Sequence, residues 1–205
     1  MSDMTKTMVS NQLQKRGIND TAVLDAMSII PRHRFVSKIY RPMAYTDNPL
    51  PIGHGQTISQ PYIVALMTEL LQVDLKQKVL EIGTGCGYQT ALLCILTKRV
   101  ITLEVLSTLS TKSRKRLKTL GYDNVDCHCA DGKNGWSKEA PYDRILVSAA
   151  PETIPEVLIE QLAPDGRMVI PIGPLYDQFI YIITKNANGH VNKEKYTPVR
   201  FVPLV

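Results

Sequence analysis

The chain has 205 residues and a formal charge of +5, which suits one domain with a full hydrophobic core. With 44% hydrophobic and 21% charged residues it falls outside the disordered and fibrous classes, and so small a positive charge does not by itself call for a nucleic-acid partner. No stretch approaches the roughly 18 apolar residues of a membrane span, and residues 1–12 lack the apolar run of a secretory signal, so a cytoplasmic protein without a membrane partner is expected. Residues 4–16 read as a short helix. Asn19 or Asp20 then caps a second one, in which Val23, Leu24, Met27 and Ile30 recur at helical spacing until Pro31 stops it. Residues 35–60 read as irregular, broken by Pro42, Pro49, Pro51, Gly53 and Gly55; loops of that length are more often functional than idle. Pro61 fits the first position of a helix whose Ile63, Val64, Met67, Leu70 and Leu71 form one apolar face.

From residue 77 strands and helices alternate. Strands are predicted over 78–82, 100–105, 125–129, 144–148 and 167–172, with helices over 88–97, 107–120 and 155–162. That alternation implies a parallel, doubly wound sheet. Two further strands, 179–184 and 199–204, follow with an Asn188-Gly189 turn between them. The expected fold is a Rossmann-like α/β domain: a mostly parallel, seven-stranded sheet with a helical N-terminal extension. Residues 1–75 would supply the extension and substrate loop, and 76–205 the cofactor-binding sheet, within one domain.

The first strand of the sheet runs straight into Gly83-Thr84-Gly85-Cys86-Gly87, and a helix follows at once. Glycines are needed where backbone turns sharply against a ligand, and the helix start adds free N–H groups. A strand–loop–helix of this kind favours a nucleotide-like ligand at the carboxyl edge of the sheet. The spacing is one residue short of the dinucleotide fingerprint G-x-G-x-x-G. Gly-x-Gly-x-Gly after an acidic strand residue, Glu81, is instead the pattern of S-adenosylmethionine methyltransferases. Glu104, at the end of the second strand, stands where an acid binds ribose hydroxyls. Asp131, followed by Gly132, comes after the third strand, within reach of an adenine edge. Taken singly, Glu104 would equally suit a solvated strand end and Asp131 a turn.

At this point the chain resembles the bacterial type of the protein-L-isoaspartate O-methyltransferase family. The likeness runs through Arg16-Gly17-Ile18, Pro31-Arg32-His33, Gly53-His54-Gly55-Gln56-Thr57-Ile58-Ser59-Gln60-Pro61, the glycine loop, Asp131-Gly132, Ala140-Pro141-Tyr142-Asp143 and Arg200-Phe201-Val202-Pro203-Leu204. It implies transfer of a methyl group from S-adenosyl-L-methionine to the free α-carboxylate of an L-isoaspartyl residue, leaving S-adenosyl-L-homocysteine. The methyl ester then collapses to a succinimide, which begins repair of the damaged protein. The resemblance makes Ser59 the catalytic residue, with Thr57, Gln56 and His54 toward substrate and Glu81, Gly83, Thr84, Gly85, Gly87, Glu104, Asp131 and Gly132 toward cofactor. From the residues alone, Ser59 would serve equally as a helix cap. Isoaspartyl peptides and proteins are the expected partners of a monomer. The alternatives are a methyltransferase acting on RNA or a small metabolite, and a non-catalytic cofactor-binding adaptor. Three positions depart from the family pattern: Cys86 replaces a serine, and Ala130 and Asp165 each replace a glycine.

Cys86, Cys94, Cys127 and Cys129 contain no CxxC pair, so reduced thiols and no metal are expected. Cys86, near a helix start, could carry a lowered thiol pKa, but a silent small side chain is the preferred reading. Lys112, Arg114, Lys115, Arg116 and Lys118 spread over more than one helical face without interleaved aromatics, which suits a solvated surface better than a nucleic-acid patch. Trp136 and Tyr142 should pack the region after Asp131.

Overall fold

The computed structural model describes residues 3–204. The N-terminal helix is present, but its winding changes along its length. It begins as α1 (Asp3–Met8), widens to a π-helical turn over Val9–Leu13 and tightens to a 3₁₀ turn over Gln14–Arg16, where Gly17 ends it at φ 93°. α2 (Thr21–Ile29) is capped by Asp20, whose side chain accepts from the Val23 N–H at 3.1 Å. The 35–60 segment is more ordered than its proline and glycine content suggests. It holds a 3₁₀ run over Lys38–Met43 and an antiparallel hairpin of β1 (Leu50–Gly53) and β2 (Gln56–Ile58). The hairpin turns on His54 and Gly55, with φ 54° and 72°. Positive φ at both central residues makes this the primed turn that two-residue hairpins favour. α3 (Pro61–Leu71) opens with its proline as predicted.

The main sheet follows the expected alternation: β3 (Lys78–Ile82), α4 (Tyr88–Leu96), β4 (Arg99–Glu104), α5 (Ser107–Thr119), β5 (Val125–Cys129), β6 (Tyr142–Val147), α6 (Glu156–Glu160) and β7 (Leu162–Ile172). β8 (Gln178–Lys185) and β9 (Val191–Val199) complete it. The strand order is β5-β4-β3-β6-β7-β8-β9. Strands β3 to β7 pair in parallel, and β7–β8 and β8–β9 are antiparallel. The last strand is not the predicted 199–204. It lies over Val191–Val199, while residues beyond it make only an isolated bridge between Ala150 and Pro203. The misplacement has a plain cause. Val-Asn-Lys-Glu-Lys-Tyr-Thr-Pro-Val has the polarity of an edge strand, and edges tolerate lysine and proline.

Neighbouring residues of the central strands face opposite sides of the sheet. Val79 and Val100 join one apolar cluster with Met8, Leu13, Met27, Phe35, Met67 and Leu92, so the N-terminal helices pack on that face. Leu80 and Ile101 join the other, with Tyr142, Ile145, Leu158 and Met168. The N-terminal extension therefore shares its core with the sheet and sits over the carboxyl edge where β3 delivers the glycine loop.

Candidate functional site

A cavity of about 590 Å³ lies at that edge, within the size range of small-molecule sites. Its walls come chiefly from the hairpin and the start of α3, the glycine loop, the ends of β4 and β6, and residues 197–204, with Arg16 and Gly132 adding to them. Of the residues expected at the site, Gln56, Thr57, Ser59, Gly83, Thr84, Gly85, Glu104 and Gly132 all line it.

The glycine loop makes its turn with φ of 90°, 54° and 88° at Gly83, Gly85 and Gly87, a region that side chains strain to enter. Glu104 is held against the loop. Its Oε2 accepts from the Gly85 N–H at 2.8 Å and its Oε1 from the Leu106 N–H at 3.0 Å. Both oxygens keep a further lone pair, and the side chain borders the cavity, which suits a diol such as a ribose edge. Gly132 packs so closely on Ile82 that a Cβ there would lie 2.2 Å from Ile82 Cγ2. Without that approach the third strand's loop could not close this wall.

Four expected residues lie elsewhere. Glu81 is wholly buried beneath the loop, because its place in β3 turns it away from the cavity. Its Oε2 accepts from the Thr90 and Thr102 hydroxyls, each at 2.6 Å, and Thr84 in turn donates to the Thr102 hydroxyl oxygen at 2.6 Å. Glu81 therefore supports the loop through threonines and lines no part of the cavity. Burial pushes its carboxyl up to about 7, against the two threonine bonds that favour the ionised form. Asp131 is exposed and caps a 3₁₀ turn, accepting from the Lys133 N–H at 2.9 Å, so the turn role holds for this side chain. His54 sits at the exposed tip of the hairpin, where the turn geometry places it. Gly87 packs on the Leu117 side chain at the start of α4.

Ser59 does not cap α3. Gln60 occupies the cap position, and its side chain makes no bond to the helix's own N–H groups. The Tyr62 N–H goes instead to Asp47 Oδ1 at 3.1 Å, and Asp47 Oδ2 accepts from Gln60 Nε2 at 2.7 Å and from Arg16. The start of α3 is thus occupied by Asp47, and Ser59 borders the cavity without capping the helix. Arg16, which also lines the cavity, rests on the Tyr62 ring with its guanidinium carbon 3.5 Å from the centroid.

Cys86 is buried, and desolvation raises its thiol pKa, which agrees with a silent small side chain and not with a reactive cysteine. Arg116 is likewise not free surface charge: its Nη1 donates to the Cys86 carbonyl at 2.6 Å. Asp165 adopts φ 58°, which accounts for glycine being usual there. Trp136 stacks on His128 with centroids 4.2 Å apart, and the Tyr142 hydroxyl donates to the Trp136 carbonyl at 2.6 Å.

Sequence reasoning missed two walls. Ser148 and Ala149 follow β6, and the rule that open α/β sheets bind ligands at their carboxyl ends would have found them. Residues 197–204 cross the cavity as a strap. Gln178 pins it, accepting from the Phe201 N–H at 2.6 Å and donating to the Phe201 carbonyl at 3.2 Å, and Ala150 bonds Val202 and Leu204. No local pattern marks that role.

A seven-stranded sheet with this order and a glycine-loop cavity bordered by an acid define a methyltransferase dependent on S-adenosyl-L-methionine. The model of the protein-L-isoaspartate(D-aspartate) O-methyltransferase family matches residues 3–205, and the chain belongs to that family. It is 50% identical over 200 residues to the protein-L-isoaspartate O-methyltransferase of Geobacter metallireducens, covering 98% of this chain and 93% of the relative. A Synechococcus relative of the same name is 51% identical over 205 residues, covering 97% and 84%. Among solved structures, a Plasmodium falciparum chain described as a protein-L-isoaspartate O-methyltransferase in complex with S-adenosyl-L-homocysteine aligns with TM-score 0.85 and 29% identity over 100% of this chain and 99% of that one. The activity is S-adenosyl-L-methionine-dependent O-methylation of protein L-isoaspartate, and these matches do not favour an RNA or metabolite substrate or a non-catalytic adaptor. No helix among the described residues is long and apolar enough to cross a membrane, and no group of three or more His, Cys, Asp or Glu there could hold a metal.

Proposed function

We propose that Ser59 is the catalytic residue of this methyl transfer, receiving the isoaspartyl α-carboxylate beside Thr57 and Gln56. Gly83, Thr84, Gly85, Glu104 and Gly132 hold the cofactor. The observation that carries this reading is that the cavity is bounded by both groups, with the Ser59 hydroxyl not engaged in capping. A chamber of about 590 Å³ flanked by a glycine cradle and the Glu104 carboxylate fits an adenosyl group with an acceptor side chain. When bound, S-adenosyl-L-methionine supplies an electrophilic methyl group on its sulfonium.

The protein's own part is chiefly positional. A carboxylate with an unperturbed pKa near 4 is already ionised at neutral pH, so no general base is required. The residues have to orient that carboxylate and exclude water, and orientation alone supplies much of the rate. A serine hydroxyl donates one hydrogen bond to an acceptor oxygen without adding charge. Arg200 lines the cavity and adds a positive charge that favours an anionic group, whereas the charge of Arg16 is paired with Asp47. The strap and hairpin supply part of the chamber's wall.

In this reading residues 1–75 supply the acceptor face and 76–205 the cofactor face of a single domain. It acts as a monomer in the cytoplasm on isoaspartyl peptides and proteins, with neither nucleic acid nor membrane as a partner. Labelled S-adenosyl-L-methionine with paired isoaspartyl and aspartyl peptides tests the acceptor: base-labile label on the isoaspartyl peptide alone is expected, and equal labelling of both would refute it. Ser59→Ala should lower kcat by roughly 10- to 100-fold while leaving cofactor affinity nearly unchanged. Unaltered turnover would remove the role of Ser59.

A further inference from the structure

Arg32 is completely buried, and none of the ion pairs among the described residues includes it. Burial lowers its pKa, opposed chiefly by the Tyr88 hydroxyl and, more weakly, by Cys86 and the Asp47 carboxylate. A guanidinium withdrawn from water without a direct ion pair is costly, and an apolar side chain would pack such a place at less cost. Packing therefore does not explain an arginine here. What the arginine does make are two bonds to main-chain carbonyls distant in sequence. Its Nε donates to Ala44 at 2.8 Å and its Nη2 to Ser59 at 2.7 Å. The second bond fixes the peptide that bears the proposed catalytic hydroxyl.

The guanidinium also ends a buried column. Its carbon lies 4.8 Å from the centroid of Tyr88, which lines the cavity just after the glycine loop. Tyr88 meets Phe35 edge-on, with centroids 5.3 Å apart at 77°. Phe35 in turn lies 5.9 Å from the guanidinium carbon of Arg116, whose Nη1 holds the Cys86 carbonyl inside the glycine loop. Two arginines thus grip one carbonyl in each half of the site, and two aromatic rings set the spacing between them.

We propose that Arg32 is a positioning residue for methyl transfer, fixing Ser59 and, through Tyr88, Phe35 and Arg116, holding the acceptor side in register with the glycine loop. The proposal rests on the assignment of Ser59 to the acceptor carboxylate. Lysine is the informative replacement, because it keeps the charge but lacks the planar fork needed to reach two carbonyls.

The test is a double-mutant cycle on the full chain, comparing wild type, Arg32→Lys, Ser59→Ala and the double variant. Saturating S-adenosyl-L-methionine and an isoaspartyl peptide give kcat, and calorimetry gives S-adenosyl-L-homocysteine affinity. Arg32→Lys should lower kcat by about tenfold or more, since small misplacements of reacting groups have effects of that size, with affinity within about twofold. In its background Ser59→Ala should cost far less than it does in wild type, because a displaced hydroxyl has little left to lose. Additive effects, unchanged kcat in Arg32→Lys, or affinity falling in step with kcat would each overturn the role. A wild-type background insensitive to Ser59→Ala would instead remove the Ser59 assignment, and with it any action of Arg32 through that residue. Should Arg32→Lys fail to fold, Phe35→Leu breaks the same column at a residue outside the cavity and should show the same non-additivity with Ser59→Ala; additivity there would equally sink the proposal.

Discussion

Replacing Glu81 by glutamine should change how stability depends on pH. Burial raises this carboxyl from an ordinary 4.5 to about 7. The folded protein therefore holds a proton at Glu81 that the unfolded chain gives up between those values. Stability from this group is fully present below 4.5 and is lost as pH rises through 7. The span corresponds to roughly 3 kcal/mol at 1.36 kcal/mol per unit of pKa. Glutamine mimics the protonated acid. Its amide oxygen can accept the Thr90 and Thr102 bonds, while its amide nitrogen takes the place of Oε1, which has no hydrogen-bond partner. At pH 5, just above the unfolded value of 4.5, the two proteins should differ by only about 1 kcal/mol. At pH 8 the Glu81→Gln form should be more stable by up to about 3 kcal/mol, or roughly 6–12 °C in Tm for a chain of this size. Thermal unfolding of both proteins without ligand at pH 5, 6, 7 and 8 measures the difference, and titrations common to both cancel in it. Parallel Tm profiles would show that Glu81 does not hold its proton in the folded state.

Two further outcomes follow from backbone geometry. Gly132→Ala would put a Cβ 2.2 Å from Ile82 Cγ2, on a β-branched side chain that cannot swing aside; a loss of about 1–3 kcal/mol with weaker S-adenosyl-L-homocysteine binding is expected, by denaturant unfolding and calorimetry. Asp165→Gly relieves the left-handed φ of 58° at an exposed position remote from the cavity. It should stabilise by roughly 0.5–1 kcal/mol with kcat unchanged, and a loss of stability would show that the aspartate is not strained there.

The sequence by itself determined the parallel core of the sheet, the glycine loop and the two segments, 56–60 and 83–86, that border the cavity. Continuous apolar strands, glycines at a fixed spacing and Pro61 at a helix start are local signals, and each acts within a few residues of itself. Tertiary structure decided which expected side chains reach the cavity. Glu81 and Glu104 both belong to central strands, yet the first is tied beneath the loop by Thr90 and Thr102 while the second borders the chamber. Asp47, not Ser59, satisfies the start of α3, through bonds to Gln60 and Tyr62 that no spacing encodes. The strap over 197–204 is placed by Gln178 and Ala150, and Arg32 reaches Ser59 across 27 residues. Side-chain direction depends on strand register and on bonds between distant segments, and both exist only once the chain has closed on itself.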